Sequence, residues 1–328
     1  MALATNAFDW IMTEIASRPG QSGLATTNHA WRAIAALCGG VLVFSLQDVV
    51  IKLLSGGYPV HEVVVIRCLS ALPILLLMIH RQVGLAAIFR GPVVALIGRG
   101  LFLVISYSAY YLAFPVMKLA DIVALYFTVP IFVTALAGPF LGEKIGWQRW
   151  GATLIGFAGV VVMLRPGSDV FNLTALMPVI AAAAYGSAQL MARKLGTRTP
   201  AIVMSFYQNL MFLVAAGMMA LLFGRGVDHV AGGVLDFLLR AWVVPTWRDL
   251  LLLAACGPIS AIGMTLLSQA YRLAEANFVA SFEYSGLIWA TLWGFWIFGE
   301  VPDGTMILGA ALIVGAGLYM LYGAKSAR

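Results

Sequence analysis

Ten mostly apolar runs, each near the roughly twenty residues a helix needs to cross a bilayer, take up most of this 328-residue chain. By number they are 31–54, 60–80, 92–114, 119–141, 147–165, 174–194, 200–224, 249–271, 276–298 and 303–322, here spans one to ten. The connections between them are short except 225–248. A backbone in hydrocarbon must close its own hydrogen bonds, which leaves helices or closed barrels. Barrel strands alternate apolar and polar residues, whereas these runs are continuous, so the expected fold class is an all-α membrane protein. Composition agrees: 10% of the residues are charged and 62% hydrophobic, where a soluble domain carries about 25% charged residues. A net charge of +6 then belongs to loops facing anionic lipid rather than to a nucleic-acid surface.

Basic residues orient the chain. With the N-terminus in the cytoplasm, cytoplasmic segments hold twelve Lys and Arg against six outside, which places both termini in the cytoplasm. Residues 1–30 carry Asp9, Glu14 and Arg18-Pro19-Gly20 and lack the pattern of a cleavable signal peptide. Cys38, Cys68 and Cys256 all fall in apolar runs, without metal or redox spacing, and read as small core-filling residues. His29, His61, His80 and His229 do not cluster. No metal or other cofactor is expected.

The chain also repeats itself. Ser45, Gln47, Lys52 and Leu53 recur 142 residues later as Ser187, Gln189, Lys194 and Leu195. Ile131, Thr134, Gly142 and Glu143 recur at an offset of 157 as Ile288, Thr291, Gly299 and Glu300. Gly151, Ala152, Leu154, Ile155 and Gly159 recur at 158 as Gly309, Ala310, Leu312, Ile313 and Gly317. Each half holds five spans, an odd number, so the second half enters the membrane upside down. Inverted repeats of this kind recur in secondary transporters, with the substrate site near the midplane between the halves. The expectation is ten transmembrane helices in two inverted five-helix repeats, 31–166 and 172–323, after a cytoplasmic segment 1–30.

Ten spans, two five-span halves and a Gly-Glu pair closing the fourth span of each half (Gly142-Glu143 and Gly299-Glu300) resemble the drug/metabolite transporter superfamily of the EamA-domain type. FSLQDVVIKLL in span one and Arg67 within VVVIRCLSA in span two resemble that family's first two helices. The resemblance covers residues 31–322. It implies a bacterial inner-membrane carrier of small metabolites, with a central cavity lined mainly by spans one, three, four, six, eight and nine.

Four charges lie inside spans: Asp48, Arg67, Arg99 and Glu283. Left unpaired, each would cost about 2.5–3.5 kcal/mol near a helix centre, so pairing or hydration is expected. At about 1.5 Å per residue, Asp48 and Arg67 reach similar depths in adjacent spans and are expected to pair. Arg99 and Glu283 match in depth on the other side of the midplane, which allows a second pair. Glu283 is expected either to contact a cationic group of the substrate or to be the site of a coupling proton.

Arg99, Ser106, Tyr107 and Tyr110 share one face of span three by helical spacing. Tyr126 aligns with Glu283 at the 157 offset, Tyr185 and Gln189 lie four apart in span six, and Gln269 sits late in span eight. With Glu283 and Tyr284, these residues (Arg99, Tyr107, Tyr110, Tyr126, Tyr185, Gln189, Gln269) form the candidate substrate site. Aromatics with a few convergent polar groups suit a planar or zwitterionic metabolite. Gln208 and Asn209 read as packing groups. Pro130 and Pro258 are hinge candidates, since an internal proline frees a carbonyl and bends a helix. Glycines of spans five and ten suit close helix packing and offer a surface for a homodimer, the alternative being a monomer. Leu235, Leu238, Leu239 and Trp242 recur at helical spacing, as in a surface helix. Asn172-Leu173-Thr174 is a glycosylation sequon.

No Walker loop, HExxH or GxSxG occurs, so no enzyme is expected. The function expected is secondary transport of a small polar organic metabolite, an amino acid or related compound in the export direction, by alternating access. The alternatives are uptake of a flavin-, nucleoside- or S-adenosylmethionine-like compound, and a membrane scaffold or sensor without flux.

Overall fold

The computed structural model describes residues 26–54, 57–113, 122, 125–143, 145–164, 176–196, 198–226, 239–298 and 304–326. Among the described residues the regular structure is all helical. The helices are α1 (Thr26–Leu54), α2 (Val60–Gln82), the single turn α3 (Ala87–Arg90), α4 (Val93–Leu112), α5 (Val129–Leu141), α6 (Trp147–Leu164), α7 (Leu176–Leu195), α8 (Ala201–Phe223), α9 (Trp247–Leu273), the short α10 (Ala276–Ala280), α11 (Ser285–Phe298) and α12 (Gly304–Ser326). Five of them are long and apolar enough to cross a membrane: α1 over Ala30–Ile51, α2, α4, α8 and α9. Two expected spans are not continuous. Span four becomes α5 preceded by a turn at residues 127–128, and span nine divides into α10 and α11 around residues 281–284. Gly299, Glu300, Leu235, Leu238 and the sequon lie outside the described residues.

Local chemistry sets several ends. Thr246 caps α9: its Oγ1 accepts from the Asp249 N–H at 3.3 Å and donates to Asp249 Oδ2 at 2.8 Å. Gly142 ends α5 in the left-handed region at φ 69°, its N–H returning to the carbonyls of Ala137 and Gly138. Only glycine takes that conformation without strain, and it turns Glu143 back across the end of the bundle. Residues 240–246 are not helical. Trp242, expected on a surface helix, instead lies in a strap whose Val243 N–H donates to Glu62 Oε2 at 3.0 Å. Next to the strap, Tyr58 donates to Asp249 Oδ2 at 2.7 Å, a bond that raises the phenol's pKa above its usual range.

Packing follows the apolar faces. α1 lies on α9, α2 on both α8 and α9, α4 on α7 and α8, α5 on α7, α11 on α1, and α6 on α12. The largest core cluster joins Leu37, Leu75, Leu96, Val133, Leu190, Ile202, Leu266 and Val279 from eight different helices. Leu69, Leu77, Leu101, Ile105, Leu221 and Leu222 remain exposed, as befits faces meeting lipid. Gly159 is used within the chain, where a Cβ would lie 2.8 Å from the Gly309 carbonyl, whereas a Cβ on Gly315 would meet nothing within 4 Å. Around that contact Leu154, Ile155, Leu308, Val314 and Leu318 stay exposed.

Gly257 shows how tight these crossings are. A Cβ there would sit 2.6 Å from the Ala71 nitrogen and 2.7 Å from the Ser70 carbonyl carbon, both backbone atoms of α2. Gly257→Ala is expected to push α2 and α9 apart and to cost about 1–3 kcal/mol, the range for overpacking. A Cβ on Gly217 in α8 would meet nothing within 4 Å, so Gly217→Ala is expected to be neutral or slightly stabilising through helix propensity. Thermal unfolding of both variants in detergent checks the contrast, and equal shifts would contradict it.

Candidate functional site

The two helix breaks build the site. At the first, Thr128 gives its N–H to the Leu125 carbonyl at 3.2 Å and its hydroxyl to the same carbonyl at 2.7 Å. Pro130 then stands in the first turn of α5, where its missing N–H has no helical acceptor to lose. It starts a helix rather than bending one, which corrects its assignment as a proline within a continuous span. Pro258 does lie inside a continuous helix, α9. At the second break, Phe282 and Glu283 bond three residues back, to Val279 and Ala280, both at 3.0 Å. Such tightened turns do not propagate far. Tyr126 and Glu283, which correspond at the 157 offset, each lie at one of these breaks.

Glu283 is 8% exposed. Its Oε1 accepts from Tyr271 Oη at 2.9 Å and from Tyr185 Oη at 3.2 Å. The second pair that the depths allowed, Arg99 with Glu283, is not formed. Arg99 is 1% exposed, on the side of α4 that meets α8 and α9. It donates to Ser268 Oγ at 3.1 Å, and to Gln208 Oε1 and the Met204 carbonyl at 3.5 Å. Two phenols answer the carboxylate.

Tyrosine rings connect Glu283 and its phenols to a second cluster. Tyr185 lies 5.9 Å from Tyr126, Tyr126 lies 4.8 Å from Tyr110, and Tyr110 lies 5.6 Å from Tyr111. Tyr111 in turn lies 4.6 Å from Tyr107. Tyr110, Tyr126 and Tyr185 are half-buried. Tyr107 is the hub of the second cluster: its Oη receives Arg67 Nη1 at 2.7 Å, Gln47 Nε2 at 2.8 Å and the Tyr111 hydroxyl at 3.1 Å. Gln47 Oε1 takes the Ser260 hydroxyl. The Arg67 guanidinium, 0% exposed, lies 4.8 Å from the Tyr107 centroid and 5.3 Å from that of Phe212, a cation–π arrangement.

Asp48 does not pair with Arg67 in this structure. Arg67 is spent on Tyr107, and Asp48 is exposed. Asp48 nevertheless lies within electrostatic reach of Arg67, Tyr107, Tyr110, Tyr111 and Cys256. These neighbours from α2, α4 and α9 put Asp48 on the side of α1 that faces the bundle.

Other expected residues scatter. Tyr284 turns away from Glu283, gives its hydroxyl to the Thr153 carbonyl at 3.1 Å and packs on Gly156. Gln269 receives Arg272 Nη1 at 2.5 Å. Gln189 is buried beside Tyr185. Tyr271, Tyr111 and Phe212 were not singled out from the sequence. Tyr271 stands next to Arg272, where the hydropathy profile reads as a loop edge.

One end of the bundle is sealed by polar groups. Glu143 Oε1 accepts the Ala276 N–H at the start of α10 at 3.1 Å, with Arg193 Nε at 3.7 Å. Arg193 Nη1 bonds the Arg272 carbonyl at 3.0 Å, Arg272 Nε bonds the Gly196 carbonyl at 3.1 Å, and Arg149 pairs with Glu275. These contacts tie together the ends of α5, α6, α7, α9 and α10.

Known proteins resemble this chain. The EamA-like transporter family model matches residues 31–165. The riboflavin transporter of Vibrio cholerae is 35% identical over 204 residues, 62% of this chain and 62% of that protein, so the match spans less than two thirds of that relative. The S-adenosylmethionine uptake transporter of Rickettsia bellii is 28% identical over 229 residues, 70% of this chain and 72% of that one. The pseudopaline exporter CntI of Pseudomonas aeruginosa is 30% identical over 276 residues, 83% of this chain and 90% of that one. A crystal structure 18% identical in sequence superposes with a TM-score of 0.73, covering 89% of this chain and 98% of the other, which shows a shared fold.

Proposed function

Because this chain belongs to the EamA-like transporter family of the drug/metabolite transporter superfamily, we propose that it is a secondary carrier of a small polar organic metabolite, working by alternating access. The observation that carries this reading is the pair of matched helix breaks, which brings Tyr126 and Glu283 into one chain of neighbouring tyrosines.

We read the architecture as ten spans in two inverted repeats, 31–166 and 172–323. Helix packing supports this. Exchanging each span for the one five places along turns α1 on α9 into α7 on α4, and α2 on α9 into α8 on α4. The same exchange leaves α2 on α8 and α6 on α12 unchanged. Two similar halves give two states of comparable energy. The Glu143 network closes one end, and the exposure of Asp48 supports an opening toward the other. Pro258 in α9 and the turn before Pro130 are the hinges of this scheme. The setting is a bacterial inner membrane with both termini cytoplasmic.

Export of an amino acid or related compound is the first reading of direction, favoured by the exporter matched over most of its length. Uptake is the second, favoured by the two importing or vitamin-carrying relatives. Purified protein in liposomes decides the function. Counterflow of labelled riboflavin, S-adenosylmethionine or an amino acid is the expected result. No flux across that panel from a folded, inserted protein would favour a scaffold or sensor.

A further inference from the structure

α11 lies chiefly on α1, and α12 chiefly on α6. Beside the turn that carries Glu283, these two helices leave an open groove of about 190 Å³ between them. Phe282, Ser285 and Ile288 form one wall, and Ile313, Val314 and Leu318 form the other. Both walls are held from behind. The Phe282 ring lies 5.5 Å from the ring of Phe278, itself buried. Ile313 is 5% exposed and packs toward α6, where a Cβ on Gly159 would lie 3.1 Å from its Cγ1. A gap between braced walls does not close by collapse.

Empty space there would forfeit dispersion contacts on both sides. Water is a poor filler, since a buried water needs about two to four polar partners and the polar side chains here are Ser281 and Ser285. An apolar cavity of about 150 Å³ already holds a benzene molecule, so this groove takes several methylenes. Its mouth fixes their source. Val314 and Leu318 are 47% and 48% exposed and continue, along α12, the exposed surface of Ile307 and Leu308, which meets lipid. Phe282 stands six residues past Ala276 at the sealed end, about 9 Å along at roughly 1.5 Å per residue. One leaflet supplies about 15 Å of hydrocarbon, half of a core about 30 Å thick, so its chains pass the groove near mid-length. We propose that a phospholipid acyl chain lodges in this groove and braces the turn at 282–285, where the Ser285 N–H bonds the Phe282 carbonyl at 3.0 Å. The site is independent of what the protein carries.

The test places the full chain in liposomes of phosphatidylethanolamine and phosphatidylglycerol, doped with a phospholipid that carries a diazirine in its acyl chain. After irradiation, adducts on 282–288 and 313–318 are expected about fivefold above those on Leu101 and Ile105. Those two are each 50% exposed, so they match Val314 and Leu318 in access to lipid but stand on α4, away from the groove. Val314→Trp fills the mouth from an exposed position. It is expected to cut adducts on 282–288 about fivefold and to leave those on Leu101 and Ile105 unchanged. Leu318→Trp fills the same mouth one turn along and repeats the test should the first variant fail to fold. Hydrogen exchange reads the bracing: in detergent, added phospholipid should slow the amides of 282–285 about threefold in the wild type and leave them unchanged in the filled variant. Labelling equal to that of Leu101 and Ile105, or undiminished by filling, overturns the site. Exchange indifferent to lipid overturns the bracing. A doubled mass in detergent, with no lipid adducts in the groove, gives this face to a second copy and overturns the proposal as well.

Discussion

Glu283→Gln is expected to cut counterflow by roughly ten- to a hundredfold while leaving the protein folded. Glutamine keeps the shape and an acceptor oxygen for the phenols of Tyr271 and Tyr185, now at 2.9 and 3.2 Å, so α10 and α11 keep their anchorage. Only the charge is lost. A hydrogen bond or contact to a charged group is worth about 1.5–3 kcal/mol, and each 1.4 kcal/mol is tenfold in an equilibrium constant. Glu283→Asp keeps the charge but draws it back by one methylene, and an intermediate rate is expected. Wild-type flux in a well-folded Gln variant would remove Glu283 from the transport cycle and make it a structural acceptor for two tyrosines.

Glu143→Ala is expected to loosen the sealed end. The carboxylate receives the Ala276 N–H at 3.1 Å and faces Arg193 at 3.7 Å, so alanine leaves the first turn of α10 uncapped and Arg193 without this acceptor. A charge-assisted bond of about 1.5–3 kcal/mol corresponds to about a tenfold to hundredfold shift between closed and open ends. Hydrogen exchange of the amides of Ala276–Ala280 reads this without any knowledge of the substrate and should accelerate by that factor. Net carriage should fall as well, since a carrier that cannot close one end leaves alternation incomplete. Unchanged protection would mean that packing of Val279 and Phe278, both buried, holds this end by itself.

Much of the fold was legible because a membrane leaves few options. Long apolar runs must be helices, and α1, α2, α4, α8 and α9 follow the runs closely. The breaks in spans four and nine were not legible: FVASFEYSGLIW is as apolar on either side of Glu283 as a continuous helix would be. Hydropathy measures the cost of meeting lipid and is silent on where a backbone turns inside protein. Depth matching did not find the hydrogen-bond partners, for a related reason. It aligned Arg99 with Glu283, and Asp48 with Arg67, along the membrane normal, but depth says nothing about which face of a helix a side chain leaves. Arg99 leaves toward Gln208 and Ser268, while Arg67 leaves toward Tyr107.

What the residue order alone determined is the environment and the inventory. It required helices in lipid, a chain that matches itself at an offset of 157, and a small set of intramembrane charges and tyrosines that could not face hydrocarbon. Tertiary structure decided the partnerships: phenols on Glu283, a buried guanidinium stacked on Tyr107 and Phe212, and Glu143 capping α10. The physical reason is range. Burial cost acts on each residue wherever it stands, so it can be read along the chain, whereas hydrogen bonds and ring contacts reach only a few ångströms and depend on the rotation and crossing of helices far apart in sequence.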